Sequence, residues 1–202
     1  MFKSILKKTT ALLLAVICTL SFATSCSKSD KPESTGKPQV QIEMENGDKM
    51  VLELYPEYAP ETVNNFVSLA ESKFYDGLTF HRIVKGFMIQ GGDPKGDGTG
   101  GSEKNIKGEF SGNGFEQNTL KHTKGVISMA RSQDPNSASS QFFIVHADAA
   151  FLDGQYAAFG KLISGEDVLD KIAETPVEAN PLGEVSVPTE PVKIKAVTVL
   201  SK

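Results

Sequence analysis

Phe80-His81-Arg82-Ile83-Val84-Lys85-Gly86-Phe87-Met88-Ile89-Gln90-Gly91-Gly92-Asp93 is the stretch on which the reading of this chain turns. Large apolar residues dominate it, and Lys85-Gly86 interrupts them, so Leu78 to Gln90 reads as two short strands joined by a turn. With a period of two, Phe80, Arg82 and Val84 share one face of the first strand, and His81 points to the other. Arg82 is the odd member, a cation among large apolar side chains. On pattern alone it is either an edge-strand arginine whose stem lies on apolar surface while its head reaches water, or a charge held in place for chemistry.

The flanking sequence supplies the rest of a β-rich domain. Val40, Ile42 and Met44 alternate with polar residues, as do Met50, Leu52 and Leu54, and Asn46-Gly47 between them is a strong hairpin signal. Pro60 opens a helical stretch in which Val63, Phe66, Val67 and Ala70 fall on one face, with Glu61 suiting the helix start. Downstream of the central stretch, Gly91 to Ser111 is glycine-rich and aperiodic. Gly125 to Ala130, Gln141 to Val145, Ala157 to Leu162 and Val192 to Leu200 read as strands, and Glu166 to Glu174 as a second helix. This order predicts a closed antiparallel sheet covered by two helices.

Composition excludes several functions. Beyond the first 25 residues the chain carries 18 basic and 25 acidic residues, a charge of −7 that gives no support for binding nucleic acid. The only cysteines are Cys18 and Cys26, so neither a disulfide framework nor a Cys-based metal site is available to the domain. Three histidines, His81, His122 and His146, are too few for a His-rich metal site, and His122 and His146 lie away from the central stretch. Gly96-Asp97-Gly98-Thr99-Gly100-Gly101 spells a dinucleotide fingerprint, but no buried strand precedes it and no helix follows. Asp93 to Gly98 imitates a calcium loop, yet Lys95 and Lys104 stand where acidic ligands belong. No metal, cofactor or nucleophile elbow is expected.

The N-terminus reads as an address. Lys3, Lys7 and Lys8 precede an apolar run from Ala11 to Phe22, too short to span a bilayer. Ala23-Thr24-Ser25-Cys26 then resembles the end of a bacterial lipoprotein signal, with Ala23 where Leu is usual. An ordinary secretory signal with an incidental cysteine is the simpler alternative, but it would leave a lone reactive thiol on an exported protein. The expected division is a signal over residues 1–25, a lipidated Cys26 with a flexible tether over 26–38, and a folded domain over 39–202. The tether, SKSDKPESTGKP, holds no large apolar residue. The lipid would hold the protein at the outer face of the cytoplasmic membrane, or at an outer membrane if there is one.

The central stretch closely resembles the active-site signature of the cyclophilin-type peptidyl-prolyl cis/trans isomerases. So do Gly125-Val126-Ile127-Ser128-Met129-Ala130 running to Ser140-Gln141-Phe142-Phe143-Ile144, Phe151-Leu152-Asp153-Gly154 and Phe159-Gly160-Lys161. The resemblance covers roughly Val40 to Leu200. It implies a mainly β fold, a closed eight-stranded antiparallel barrel capped by two helices. It implies that Arg82, Gln90 and Phe87 form the catalytic set, with Arg82 the catalytic arginine and Gln90 binding substrate backbone. Phe87, Met88, Phe143 and Leu152 correspond to the pocket for the proline ring, and Gly98, Ala130, Arg131, Gln141, Phe151 and Tyr156 to the surrounding groove. Arg131-Ser132 replaces the Asn-Ala of the eukaryotic pattern, Phe151 its Trp and Tyr156 its His; the last two resemble the bacterial branch. Without the indole N–H, weak binding of cyclosporin is expected. The implied partners are proline-containing exported polypeptides, with the protein acting as a monomer without cofactor. The rival reading is a non-catalytic proline-peptide-binding chaperone module at the cell surface.

Overall fold

The computed structural model describes residues 37–202, so the signal, Cys26 and all but the last two residues of the tether lie outside the described residues. The strands are β1 (Gln39–Met44), β2 (Lys49–Leu54), β3 (Phe80–Val84), β4 (Met88–Gly91), β5 (Val126–Met129), β6 (Phe142–Val145), β7 (Ala158–Ser164), β8 (Val177–Ala179), β9 (Val185–Pro188) and β10 (Ile194–Ser201). The helices are α1 (Pro60–Glu71) and α2 (Glu166–Ala173). Eight strands form one antiparallel sheet in the order β10-β1-β2-β7-β5-β6-β4-β3. Its edges β3 and β10 approach through a bridge between Thr79 and Lys193, with Phe80 N–H donating to Val192 O at 2.9 Å and Ile194 N–H to Leu78 O at 2.8 Å. The sheet is therefore curled, with its edges stitched together at one narrow seam. Leu54 N–H donates to Pro38 O at 2.8 Å, which ties the end of the tether to β2.

The two-residue alternation of each strand sorts its side chains between two apolar clusters. Ile89, Ile127, Phe142, Ile144 and Phe159 enter the core enclosed by the curl. Their neighbours Met88, Val126, Phe143, Val145 and Ala158 pack on the opposite face with Leu152, under the 146–156 segment. With both faces covered, β5 and β6 are buried at every position, and every residue of the two strands except Ser128 is apolar. Phe66 of α1 anchors the enclosed core, its ring 5.0 Å from Tyr75, 5.4 Å from Phe142 and 5.3 Å from Phe159. Truncating it would cost about 3–5 kcal/mol through lost burial and the cavity left behind.

Two features depart from the sequence reading. The register slips between Phe80 and Arg82, a bulge that breaks the period of two. Phe80 and Ile83 point into the enclosed core, while Arg82 is turned to the face that carries Met88 and Val84, so Phe80 does not share a face with Arg82. The second is the β8–β9 hairpin, which forms its own two-stranded sheet and lies against β3. Its strands are short and bury only the polar Ser186, so they offer no apolar alternation to read.

Candidate active site

Between β4, β6 and the 146–156 segment lies a hollow of about 280 Å³, lined by Arg82, Phe87, Met88, Gln90, Ala130, Arg131, Phe143, Phe151, Leu152 and Tyr156. A more polar hollow of about 240 Å³ adjoins it, shares Gln90, Ala130 and Arg131, and takes in Gly98 and Gln141. All twelve groove residues expected from the sequence are therefore gathered in one continuous surface. A larger hollow, about 410 Å³, lies elsewhere, between the β1–β2 turn and α2. Its charged lining includes Lys171 paired with Asp48, and none of the groove residues reach it.

The floor is apolar. Met88, Phe143 and Leu152 are almost wholly buried, and the Tyr156 ring meets Phe143 edge-on at 5.8 Å. Phe87 packs at 5.5 Å against Phe151, a residue 72% exposed that forms the outer lip. Such a hollow accepts a small apolar ring by burying its methylenes, about 0.8 kcal/mol each.

The polar wall is a relay of amides beginning at Arg82. Arg82 Nη1 donates to Gln90 Oε1 at 3.2 Å and approaches Met88 Sδ at 3.6 Å. Gln90 Nε2 donates to Gln141 Oε1 at 2.9 Å, and Gln141 Nε2 donates to Gly100 O at 2.8 Å and Gly98 O at 3.1 Å. The glycine-rich loop is held by Asp93, whose carboxylate accepts from Lys95 N–H at 2.8 Å and Gly98 N–H at 2.6 Å. Burial alone would raise the Asp93 pKa, but these backbone donors outweigh it and hold the carboxyl below its usual range.

A residue the sequence did not point to faces Arg82. Glu184 accepts from Arg82 Nε at 2.7 Å and from Nη2 at 2.6 Å, a two-point ion pair. The Arg82 hydrogen bond is the main cause that pulls the Glu184 pKa down from 4.5 to about 2. With side chains 30% and 40% exposed, the pair is screened by water, and its contribution to stability is no more than about 1 kcal/mol. The partners are 102 residues apart in sequence, so no local motif announces the pair.

Arg131 sits on the opposite rim, its guanidinium 4.6 Å from the Tyr156 ring centroid and donating to Gln155 O at 2.9 Å and Ser132 O at 2.8 Å. It stiffens the rim as a stacked cation. Beneath Phe143, His122 stacks at 6.1 Å and bridges Asp153 Oδ1 at 3.1 Å and Ser128 Oγ at 3.0 Å. The trio has the composition of a hydrolytic triad, but Ser128 and His122 are closed off from solvent, so it serves as a buried polar support. Burial lowers the His122 pKa against the opposing pull of Asp153, which favours the neutral ring. His81 points away from Arg82 toward the glycine-rich loop; both its ring nitrogens are buried without a partner, and burial lowers its pKa. His146 belongs to neither hollow and pairs with Asp170 at 3.2 Å. Among the described residues, no cluster of three or more His, Cys, Asp or Glu is placed to hold a metal ion.

An apolar ring socket bordered by an arginine and a glutamine agrees with what comparison to known proteins finds. The sequence model of the family described as cyclophilin type peptidyl-prolyl cis-trans isomerase/CLD matches residues 39–199. This chain belongs to the cyclophilin-type isomerase family. Peptidyl-prolyl cis-trans isomerase B of Bacillus subtilis is 49% identical over 122 residues, covering 60% of this chain and 81% of the relative. A peptidyl-prolyl cis-trans isomerase of Helicobacter pylori is 43% identical over 146 residues, covering 71% and 86%. A crystal structure of a Cryptosporidium parvum cyclophilin-type isomerase superposes with a TM-score of 0.71 at 32% identity, covering 82% of this chain and 99% of that one. A second structure of that protein, described as in the presence of the dipeptide Ala-Pro, gives a TM-score of 0.70 at 33% identity, covering 81% and 99%. As a cyclophilin-type isomerase, the chain accelerates cis/trans rotation about X-Pro bonds.

Proposed function

We propose that this cyclophilin catalyses X-Pro rotation through Arg82 and that it acts on exported polypeptides while anchored to a membrane by a lipid on Cys26. Amide resonance sets a rotation barrier of about 18–20 kcal/mol, and uncatalysed X-Pro exchange takes tens to hundreds of seconds. No covalent chemistry is needed. In the twisted state resonance is lost and the prolyl nitrogen gains a lone pair that a fixed donor can engage more strongly than in the planar ground state. The observation that carries this reading is the guanidinium of Arg82, held at the mouth of an apolar socket with Nη1 beside Gln90. Phe87, Met88, Phe143 and Leu152 grip the proline ring, and Gln90 and Gln141 hold the flanking backbone while the other side turns. The Ala-Pro dipeptide used with the Cryptosporidium protein is a ligand of the class this socket fits.

The export half of the proposal rests on the first 26 residues. The basic start, the short apolar run and Thr24-Ser25-Cys26 support it. Expression in a bacterial host with an alkyne fatty acid, followed by click labelling, tests it. Label on the wild type that is absent from Cys26→Ala supports the anchor. A processed protein that carries no label reduces the segment to an ordinary secretory signal.

A further inference from the structure

All three nitrogens of the Arg82 guanidinium have acceptors in the resting fold, but only two of them face a charge. Nε and Nη2 are taken by the two Glu184 oxygens at 2.7 and 2.6 Å, and Nη1 lies against Gln90 Oε1 at 3.2 Å. An arginine side chain has several rotatable bonds, but a carboxylate that accepts from both Nε and Nη2 fixes the guanidinium plane and its direction. Nη1 is then the nitrogen turned to the apolar socket, held there only by the Gln90 amide oxygen and the weak sulfur acceptor of Met88, which a bound peptide can displace.

Glu184 is itself held firmly. It stands one residue before β9, at the end of a turn organised by Asn180. The Asn180 side-chain oxygen accepts from Leu182 N–H at 2.9 Å and Glu184 N–H at 3.0 Å, while Asn180 N–H donates to Glu184 O at 2.8 Å. Gly183 supplies the left-handed backbone this turn needs, at φ +85°. The hairpin is otherwise a surface appendage outside the main sheet, with Leu182 almost fully exposed at its tip. The Glu184 carboxylate is the group through which it engages the guanidinium of Arg82.

We propose that Glu184 is a positioning residue for Arg82: the β8–β9 hairpin clamps the guanidinium through Nε and Nη2 and so aims Nη1 at the prolyl nitrogen of the bound peptide. The proposal rests on the reading that Arg82 acts on the twisted bond. Because the clamp orients a group used most in the twisted state, its loss falls on turnover rather than on ground-state binding.

The test compares the protein with Glu184→Gln and Glu184→Ala. The sequence contains only two arginines, Arg82 and Arg131, so the arginine Nε–H region of a ¹⁵N NMR spectrum holds two signals, and Arg82→Lys assigns them. In the wild type the Arg82 Nε–H is expected downfield and slow to exchange; in both Glu184 variants it moves upfield and exchanges fast. Turnover of an Ala-Pro-containing peptide is expected to fall five- to tenfold, with its KM within twofold and the melting temperature nearly unchanged. Unchanged turnover in both variants overturns the proposal, as does a loss accompanied by equal weakening of peptide binding and of stability, which assigns the hairpin a merely structural part. Arg82→Ala separates the two readings: full turnover in that variant refutes the role of Arg82 itself, whereas lost turnover there beside full turnover in Glu184→Gln refutes only the clamp.

Discussion

Helix α1 begins without a capping side chain of its own, because its N-cap is Ala59. The missing acceptor comes from Glu109, nearly fifty residues further along the chain. Its Oε1 accepts from Glu61 N–H at 3.0 Å, and its Oε2 accepts from Thr62 N–H at 2.8 Å and Thr62 Oγ at 2.7 Å. Glu109→Ala removes all three bonds. Glu61 is exposed, so water can take over its N–H, but Thr62 is fully buried and its donors are orphaned. An orphaned buried donor costs about 1–3 kcal/mol, and loss of an anion at a helix N-terminus adds up to about 2 kcal/mol in a buried setting. Relief of the buried carboxylate's desolvation offsets part of this. The expected net loss is about 3 kcal/mol, or about 6–12 °C of melting temperature at this size. Urea unfolding followed by circular dichroism measures it, and Glu109→Gln, which keeps the shape but not the charge, is expected to lose about half as much. The groove should feel the change, because Asn65 of α1 donates to Ser139 O at 2.6 Å, two residues before Gln141. A Glu109→Ala loss below about 1 kcal/mol would refute the view that this carboxylate caps α1.

Other perturbations probe the groove and its supports. Gly92 has φ +82°, and a Cβ there would lie 2.5 Å from Ser140 O. Gly92→Ala should therefore cost at least about 2 kcal/mol and weaken peptide binding through Ser140–Gln141; a variant as stable as wild type refutes the close approach. His81 and His122 both have folded pKa values depressed by burial. As pH falls below about 6.5, the unfolded chain takes up these protons first, so their contribution is complete above that pH and is lost toward the lower folded values. Urea unfolding between pH 7.5 and 5.5 should show stability falling by up to about 1.4 kcal/mol per pH unit for each histidine, and a flat profile contradicts the neutral buried rings. Phe151→Trp restores an indole donor on the exposed lip. It should tighten cyclosporin at least tenfold by calorimetry while peptide turnover changes less than threefold, and unchanged affinity removes the donor explanation.

The sequence showed the groove more fully than the supports behind it. Phe87, Met88, Gln90, Phe143 and Leu152 lie within short motifs, and each motif is one strand or turn whose local order survives folding. The strands β5 and β6 were readable because strands covered on both faces are mostly apolar, with Ser128 the single polar residue between them, and leave a plain signal. The bulge at Phe80 and Arg82 was not, since it arises from pairing with β4 rather than from the residues of β3. Glu184 and Glu109 were invisible for a related reason. Each is a charged residue in a segment of weak pattern, and only the closed fold brings it to Arg82 or to Thr62. His122, Asp153 and Ser128 likewise come from three separate segments and meet only beneath Phe143.

The central claim is that the Arg82 guanidinium engages the twisted X-Pro bond. Exchange spectroscopy by NMR on a short Ala-Pro-containing peptide measures the interconversion rate directly, with the protein and with Arg82→Ala. A charge-assisted hydrogen bond of about 1.5–3 kcal/mol realised mainly in the twisted state corresponds to roughly ten- to a hundredfold in rate. The account predicts strong acceleration by the wild type and a loss of that size in a folded Arg82→Ala protein that still binds the peptide. Acceleration by Arg82→Ala equal to wild type, or a folded wild type that binds the peptide and leaves its exchange unchanged, would contradict it.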